Sequence, residues 1–180
     1  METFQLVGVK HAAILLMLAA LPSLVNARRT SGSPRLPSSI QQSLDRRFGK
    51  WAYNETSDGV RKWLSDTKHG ANPNLIAADF DGDGLRDYAV QIVTGPSGMP
   101  VRRVLVYLQR GKGYRHRTLA TGEPTAELYL LRMRRGTKDY SYTRDRHFRY
   151  ELDTIGMFSE KGGYSYFYRN GKFVSEITSD

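Results

Sequence analysis

Four aspartates lie within nine residues of a strongly basic chain, and their spacing is the most informative feature of the sequence. Asp79, Asp81 and Asp83 occupy alternate positions, and Asp87 follows shortly after them. The chain carries a formal net charge of +9, so this acidity is local. Two like charges about 4 Å apart repel by roughly 1 kcal/mol even in water, and by more where water is scarce. A segment that keeps these groups together is therefore expected to hold a cation.

The segment reads D-x-D-x-D-G-x-x-D, which is a pattern of hard oxygen ligands. Gly84 allows the chain to turn sharply, so that the carboxylates can converge together with the backbone carbonyl of Leu85. Ca²⁺ takes about six to eight such oxygens. We therefore predict a Ca²⁺ site in the loop 79–87, with the ligands Asp79, Asp81, Asp83, Leu85 and Asp87. The competing interpretation is that Asp and Gly only cap turns here, as they often do.

The pattern does not match an EF-hand, which needs a bidentate Glu at loop position 12. That position is Val90, and the run DYAVQIV around it is typical of a strand. The segment ADFDGDGLRDYAV instead resembles the calcium loop of FG-GAP and VCBS repeats, which implies a strand–loop–strand site with the same five ligands. Such repeats build propellers of about four or more blades, whereas this loop occurs once. The chain as a whole more weakly resembles small exported bacterial proteins with a single loop of this kind.

Residues 1–27 have the composition of an export signal. Lys10 precedes an apolar run over 12–21, and small side chains at 25–27 suit a signal peptidase. The run is shorter than the roughly 20 residues that span a bilayer. A buried or amphipathic helix is the alternative, but the run has no polar face. We predict a signal peptide at 1–27 and a protein exported to the periplasm or the extracellular space, with no transmembrane segment after signal removal.

The composition argues against several catalytic classes. The chain has no cysteine, which excludes disulfides, zinc–thiolate sites and cysteine nucleophiles. His69, His116 and His147 lack metal-ligand spacing, and no nucleophile elbow or phosphate-binding loop occurs. A disulfide-free exported protein is typical of a bacterial envelope or medium.

The periodicity predicts one α+β domain. Residues 28–39 are rich in Ser, Pro and Arg and are expected to form a flexible leader, and a single domain follows over 40–180. Helical spacing indicates one or two N-terminal helices, and from Leu75 onward the pattern is that of strands. We expect a mainly antiparallel β-sheet of about 6–8 short strands, with the helices on one face or end. The region 136–149 is too polar to assign.

The last hairpin has the clearest local signal. Asn170-Gly171 readily adopts the positive φ values of a type I′ turn. With that two-residue loop, Tyr168 faces Phe173 and Tyr166 faces Ser175, so that aromatic rings line one side.

A second charged feature is a basic region interleaved with aromatic residues. It is a candidate surface for a polyanion such as an anionic envelope polymer, or for another protein; nucleic acid is less favoured because no nucleic-acid-binding motif accompanies the charge. A solvated basic face is the plain alternative. The residues are Arg132, Arg134, Arg135, Lys138, Arg144, Arg146 and Arg149.

Together these features predict an exported, non-catalytic, calcium-stabilised binding or structural module of the cell envelope or extracellular space. The alternative is a small basic secreted hydrolase that acts on a polyanion such as RNA. In that case Glu127, His147 and Arg149 are the residue types that could act on a phosphodiester.

Overall fold

The computed structural model describes residues 34–67 and 72–179. The predicted signal peptide and residues 28–33 of the predicted leader lie outside this range. The described residues contain two helices and eleven strands, which are α1 (Ser38–Phe48), β1 (Trp51–Tyr53), α2 (Asp58–Asp66), β2 (Leu75–Ala78), β3 (Asp87–Thr94), β4 (Val101–Arg110), β5 (Gly113–Gly122), β6 (Tyr129–Met133), β7 (Lys138–Ser141), β8 (Arg146–Arg149), β9 (Thr154–Ser159), β10 (Gly162–Arg169) and β11 (Lys172–Ser179).

All strand pairs are antiparallel and form two main sheets and a hairpin. The first sheet has the order β1-β3-β4-β5, with β2 also paired to β3, and the second has the order β11-β10-β9-β6. β7 and β8 form the separate hairpin. The predicted α+β class is confirmed, with more strands than expected, because the polar region 136–149 contains two of them and β1 has only three residues.

The main core lies between the inner faces of the two sheets. Val106 and Ala89 from the first sheet and Ile155 and Met157 from the second belong to one buried apolar cluster. Alternate residues of each strand point to this cluster, as expected for packed sheets about 10 Å apart. The two sheets therefore form a β-sandwich.

The two helices cover opposite outer faces of this sandwich. Ile40 and Leu44 of α1 pack on the first sheet, and Val60 and Leu64 of α2 pack on the second. In each helix the buried pair is four residues apart, which puts both side chains on one face. The expectation that both helices share one face or end was wrong, because each helix has one apolar stripe and each sheet has one outer face to cover. No helix within the described ranges is long and apolar enough to cross a membrane.

The structure extends the ordered domain slightly toward the N-terminus of the predicted boundary. α1 begins at Ser38, and Leu36 is buried in the cluster below that helix. The side-chain amide of Gln41 also donates to the carbonyl of Leu36 at 2.9 Å. Residues 36–39, which we assigned to the leader, thus contribute to the fold.

The β10–β11 hairpin has the predicted register. Tyr168 pairs with Phe173 and Tyr166 with Ser175. Asn170 and Gly171 have φ values of 50° and 77°, as a type I′ turn requires. This hairpin places an aromatic stripe on the inner face of the second sheet.

Candidate metal centre

The aspartate loop joins two paired strands of the first sheet. β2 and β3 are antiparallel, with Ala78 opposite Asp87, and residues 79–86 form the connection. Gly82 and Gly84 have φ values of 81° and 82°, a region that residues with a Cβ rarely adopt. The alternation of Asp and Gly therefore allows a tight loop in which successive carboxylates turn inward.

Asp79 organises the first half of this loop. Its Oδ1 accepts the N–H groups of Gly82 at 2.7 Å and Asp83 at 3.1 Å, and its Oδ2 accepts that of Gly84 at 2.9 Å. These contacts are the turn-capping role that an Asp can have without any metal.

Asp87 anchors the loop to the neighbouring strand. It is completely buried, and its two oxygens accept N–H groups from Phe80 at 2.9 Å and Gln109 at 2.8 Å. Burial raises the pKa of Asp87 to about 6; the N–H groups of Gln109 and Phe80 lower it, and the nearby charges of Asp81 and Asp83 raise it. A cation bound near this carboxylate would lower its pKa and favour its ionised form.

Asp81 is the residue that turn capping does not explain. Its side chain is only 2% exposed, and Oδ2 pairs with Arg110. Its Oδ1 is buried and has no hydrogen-bond partner among the described residues. Buried carboxylate oxygens nearly always have a partner, and leaving one without is costly. This oxygen is a candidate ligand for a cation.

Asp83 and Leu85 lie on the solvent side of the loop. Asp83 Oδ1 accepts the N–H of Leu85 at 2.9 Å, while its Oδ2 lies 2.7 Å from Arg110 Nη1. The Leu85 side chain is exposed. The structure thus brings Asp83 to an arginine, and the role of the Leu85 carbonyl as a ligand stays a prediction.

Arg110 is the member of this site that the sequence analysis missed. It ends β4, at the level where Asp87 contacts the N–H of the preceding residue, Gln109. Because β3 and β4 are adjacent, this arginine reaches the loop from the neighbouring strand. Strand alternation places it on the same face as Leu108, but no local pattern indicates its two aspartate partners.

The carboxylates that converge are those of Asp79, Asp81 and Asp87. One oxygen from each lies within 4.8 Å of the other two. An all-oxygen set suits a hard cation such as Ca²⁺. The orphaned Asp81 Oδ1 leaves one ligand oxygen available to such an ion, whereas Arg110 already compensates part of the charge on the outer side.

Some side chains of the predicted basic region form ion pairs or hydrogen bonds within the protein. Arg132 lies 2.5 Å from Asp153, Arg144 lies 2.7 Å from Glu176, and Arg149 donates to a backbone carbonyl. The remaining members are exposed and have no ion pair among the described residues: Arg134, Arg135, Lys138 and Arg146. Several of these side chains therefore stabilise the fold, and a smaller set is left to attract an anion.

The residues of the hydrolase alternative form no hydrogen-bonded group in the described part of the chain. Glu127 accepts the hydroxyl of Ser57, which caps α2. His147 lies in β8 with its ring 5.1 Å from that of Tyr140. No hydrogen bond or ion pair joins Glu127 to His147 or Arg149 within the described ranges, so no observation favours this alternative.

Comparison with protein-family models, curated proteins and solved structures found no match to this chain. The resemblance to FG-GAP and VCBS loops therefore stays a hypothesis that depends on the residues of the loop alone.

Proposed function

We propose that the loop 79–87 binds Ca²⁺ and that the protein is an exported, non-catalytic binding or structural module stabilised by this ion. The observation that carries the proposal is the buried Asp81 Oδ1, which has no partner although it belongs to a converging group of three carboxylates. An ion would satisfy this oxygen and neutralise the group.

The ion would have a structural role in this proposal. The loop connects β2 to β3, and Asp87 connects its end to β4 through the N–H of Gln109. A cation that holds Asp79, Asp81 and Asp87 would therefore clamp three strands of the first sheet at one end. The flanking strands also support the FG-GAP/VCBS-like strand–loop–strand interpretation.

In the proposed location even a site of low calcium affinity would be occupied. Calcium sites of extracellular modules have dissociation constants of about 10⁻⁴–10⁻³ M, close to the calcium concentrations outside the cytosol. The export signal proposed at 1–27 would deliver the protein to such a compartment. Possible partners there are anionic envelope polymers, which the exposed members of the basic region 132–149 could attract.

Thermal unfolding of the purified protein in calcium or in EGTA tests the proposal. Calcium at 100 times its dissociation constant adds about 2.7 kcal/mol, which raises the melting temperature by roughly 5–10 °C in a domain of this size. Asp81→Asn should lose most of this shift. The matched control is Glu160→Gln, which removes an acidic side chain from an exposed turn and should keep the full shift.

Magnesium in place of calcium should give a smaller shift, because Mg²⁺ demands nearly octahedral geometry and gives up its water reluctantly. An equal calcium shift in wild type and Asp81→Asn would contradict the proposal. So would calorimetry that detects no calcium uptake at millimolar concentration.

A further inference from the structure

A cleft of about 290 Å³ opens between the two sheets at one edge of the sandwich. Its walls come from β4 and β5 of the first sheet and from β10 and β11 of the second. β5 and β11 are the edge strands of their sheets. The apolar core occupies the space between the sheets, and the cleft lies at the border of this core.

Two arginines of β5 occupy inner-face positions that a sandwich normally fills with apolar residues. Arg115 pairs with Leu108, and Arg117 pairs with Val106. Directly opposed residues of adjacent strands share a face, and Leu108 and Val106 belong to the inter-sheet core. Both arginines are exposed because β5 is an edge strand, so their guanidinium groups are accessible to an anion in the cleft.

The cleft is strongly positive. Arg110, Arg115, Arg117 and Lys172 line it, and none of the described lining residues is acidic. Arg110 is paired with the aspartate loop, but the other three have no ion pair or hydrogen bond to a side chain among the described residues. Uncompensated cations inside a concave site raise the local concentration of anions.

The opposite wall of the cleft is aromatic. Tyr168 and Phe173 are a cross-strand pair with ring centroids 5.1 Å apart. Both are only partly buried, so their rings are accessible from the cleft. Exposed aromatic faces bind flat rings by stacking, and a few fixed polar groups beside an apolar wall are the usual make-up of a small-molecule site.

We infer that this cleft binds a small phosphorylated molecule that carries a flat ring. The arginines and Lys172 take the phosphate, since guanidinium groups match phosphate oxygens with two hydrogen bonds, and the ring lies against Tyr168 and Phe173. The cleft volume is at the lower end of the range for ligand sites, which suits a molecule of the size of a nucleoside monophosphate. The proposed calcium ion is not among the groups that contact the ligand in this site.

Titration of the purified protein with AMP, adenosine and inorganic phosphate tests the inference by calorimetry. AMP should bind at least about tenfold more tightly than either fragment, because it makes both sets of contacts. Replacing both Arg117 and Lys172 by Gln should weaken AMP binding at least about tenfold. Phe173→Leu should weaken AMP and leave phosphate binding unchanged.

The matched control is Arg146→Gln, which removes one exposed positive charge from β8, outside the cleft. It should leave AMP affinity unchanged. Arg117→Leu should leave the melting temperature unchanged, because Arg117 is exposed and makes no ion pair among the described residues, and it should weaken AMP binding.

Three results would overturn the inference. The first is the absence of saturable AMP binding at millimolar concentration. The second is equal affinity for adenosine and AMP. The third is a loss of AMP binding in Arg146→Gln as large as in the cleft variants, which would assign binding to the diffuse charge of the surface.

Discussion

Arg110 Nη1 lies 2.7 Å from Asp83 Oδ2, while Nη2 of the same side chain contacts Asp81. Arg110 also lines the cleft between the sheets. One guanidinium group thus belongs both to the acidic loop and to the basic cleft. A change in the charge of either site should therefore change the affinity of the other site for its ligand.

Calcium is expected to strengthen anion binding in the cleft. An ion at Asp81 neutralises the carboxylates that hold Arg110, and so leaves the guanidinium free to bind an anion. AMP titrations in calcium and in EGTA should differ by about fivefold or more, the usual lower range of such coupling. By linkage, AMP should raise calcium affinity by the same factor.

Arg110→Met is the control for this coupling. It keeps an unbranched side chain that can pack like the arginine stem and removes the shared charge, so the two ligands should bind independently. Coupling of unchanged size in Arg110→Met would contradict the role of this residue. If the loop does not bind calcium, or the cleft does not bind AMP, the separate test of that site fails. Such a failure is distinguishable from two sites that both bind their ligands without coupling.

Asp87→Asn is expected to destabilise the protein even without calcium. Both oxygens of Asp87 accept backbone N–H groups, and the amide of Asn would turn a donor toward one of them. An unsatisfied buried group costs about 1–3 kcal/mol, which urea unfolding in EGTA would detect. Asp81→Asn should change the stability in EGTA less. The amide oxygen of Asn can still accept from Arg110, and the amide nitrogen replaces Oδ1, which has no donor to lose.

Equal stability of Asp87→Asn and wild type in EGTA would show that the contacts of Asp87 do not hold the loop. The comparison of the two variants thus distinguishes Asp87, whose contacts stabilise the loop even without the ion, from Asp81, which contributes mainly when the ion is bound.

Glu176 should make the free energy of unfolding depend on pH in the acidic range. Its side chain is 5% exposed, and it accepts hydrogen bonds from Arg169 and Arg144 at 2.8 Å and from Ser141 at 2.9 Å. Burial alone would raise the pKa of Glu176, but the hydrogen bonds from Arg169 and Ser141 and the charge of Arg144 bring it below its ordinary value. The folded state therefore holds this proton less tightly than the unfolded state does.

It follows that the stabilisation by Glu176 is fully present above the pKa of an unfolded glutamate, about 4.3. It is lost as the pH falls through the lower pKa of the folded state. Glu176→Gln should therefore be less stable than wild type at neutral pH, by about 2 kcal/mol, and this difference should shrink in acid. Urea unfolding as a function of pH measures it, with Glu160→Gln as the control. A difference that does not change with pH would contradict the assignment.

The local patterns of the sequence predicted the elements that depend on neighbouring residues. Asn170-Gly171 sets the turn and register of the last hairpin, because a two-residue loop with positive φ leaves one pairing for the strands. The alternation of Asp and Gly in the loop predicted carboxylates that turn inward, and three of the four converge. The change from helical to strand periodicity predicted the α+β class.

Only the tertiary structure decided which elements face one another. Arg110 meets Asp81 and Asp83 across some 27 to 29 residues of chain, and β5 meets β11 across the sandwich at the cleft. The periodicity of a strand shows that it has two faces, but not which other strand each face will pack against. That choice depends on how apolar area is buried over the whole chain. The loop was therefore visible in the sequence, whereas its arginine and the basic cleft emerged only from the packing of the two sheets.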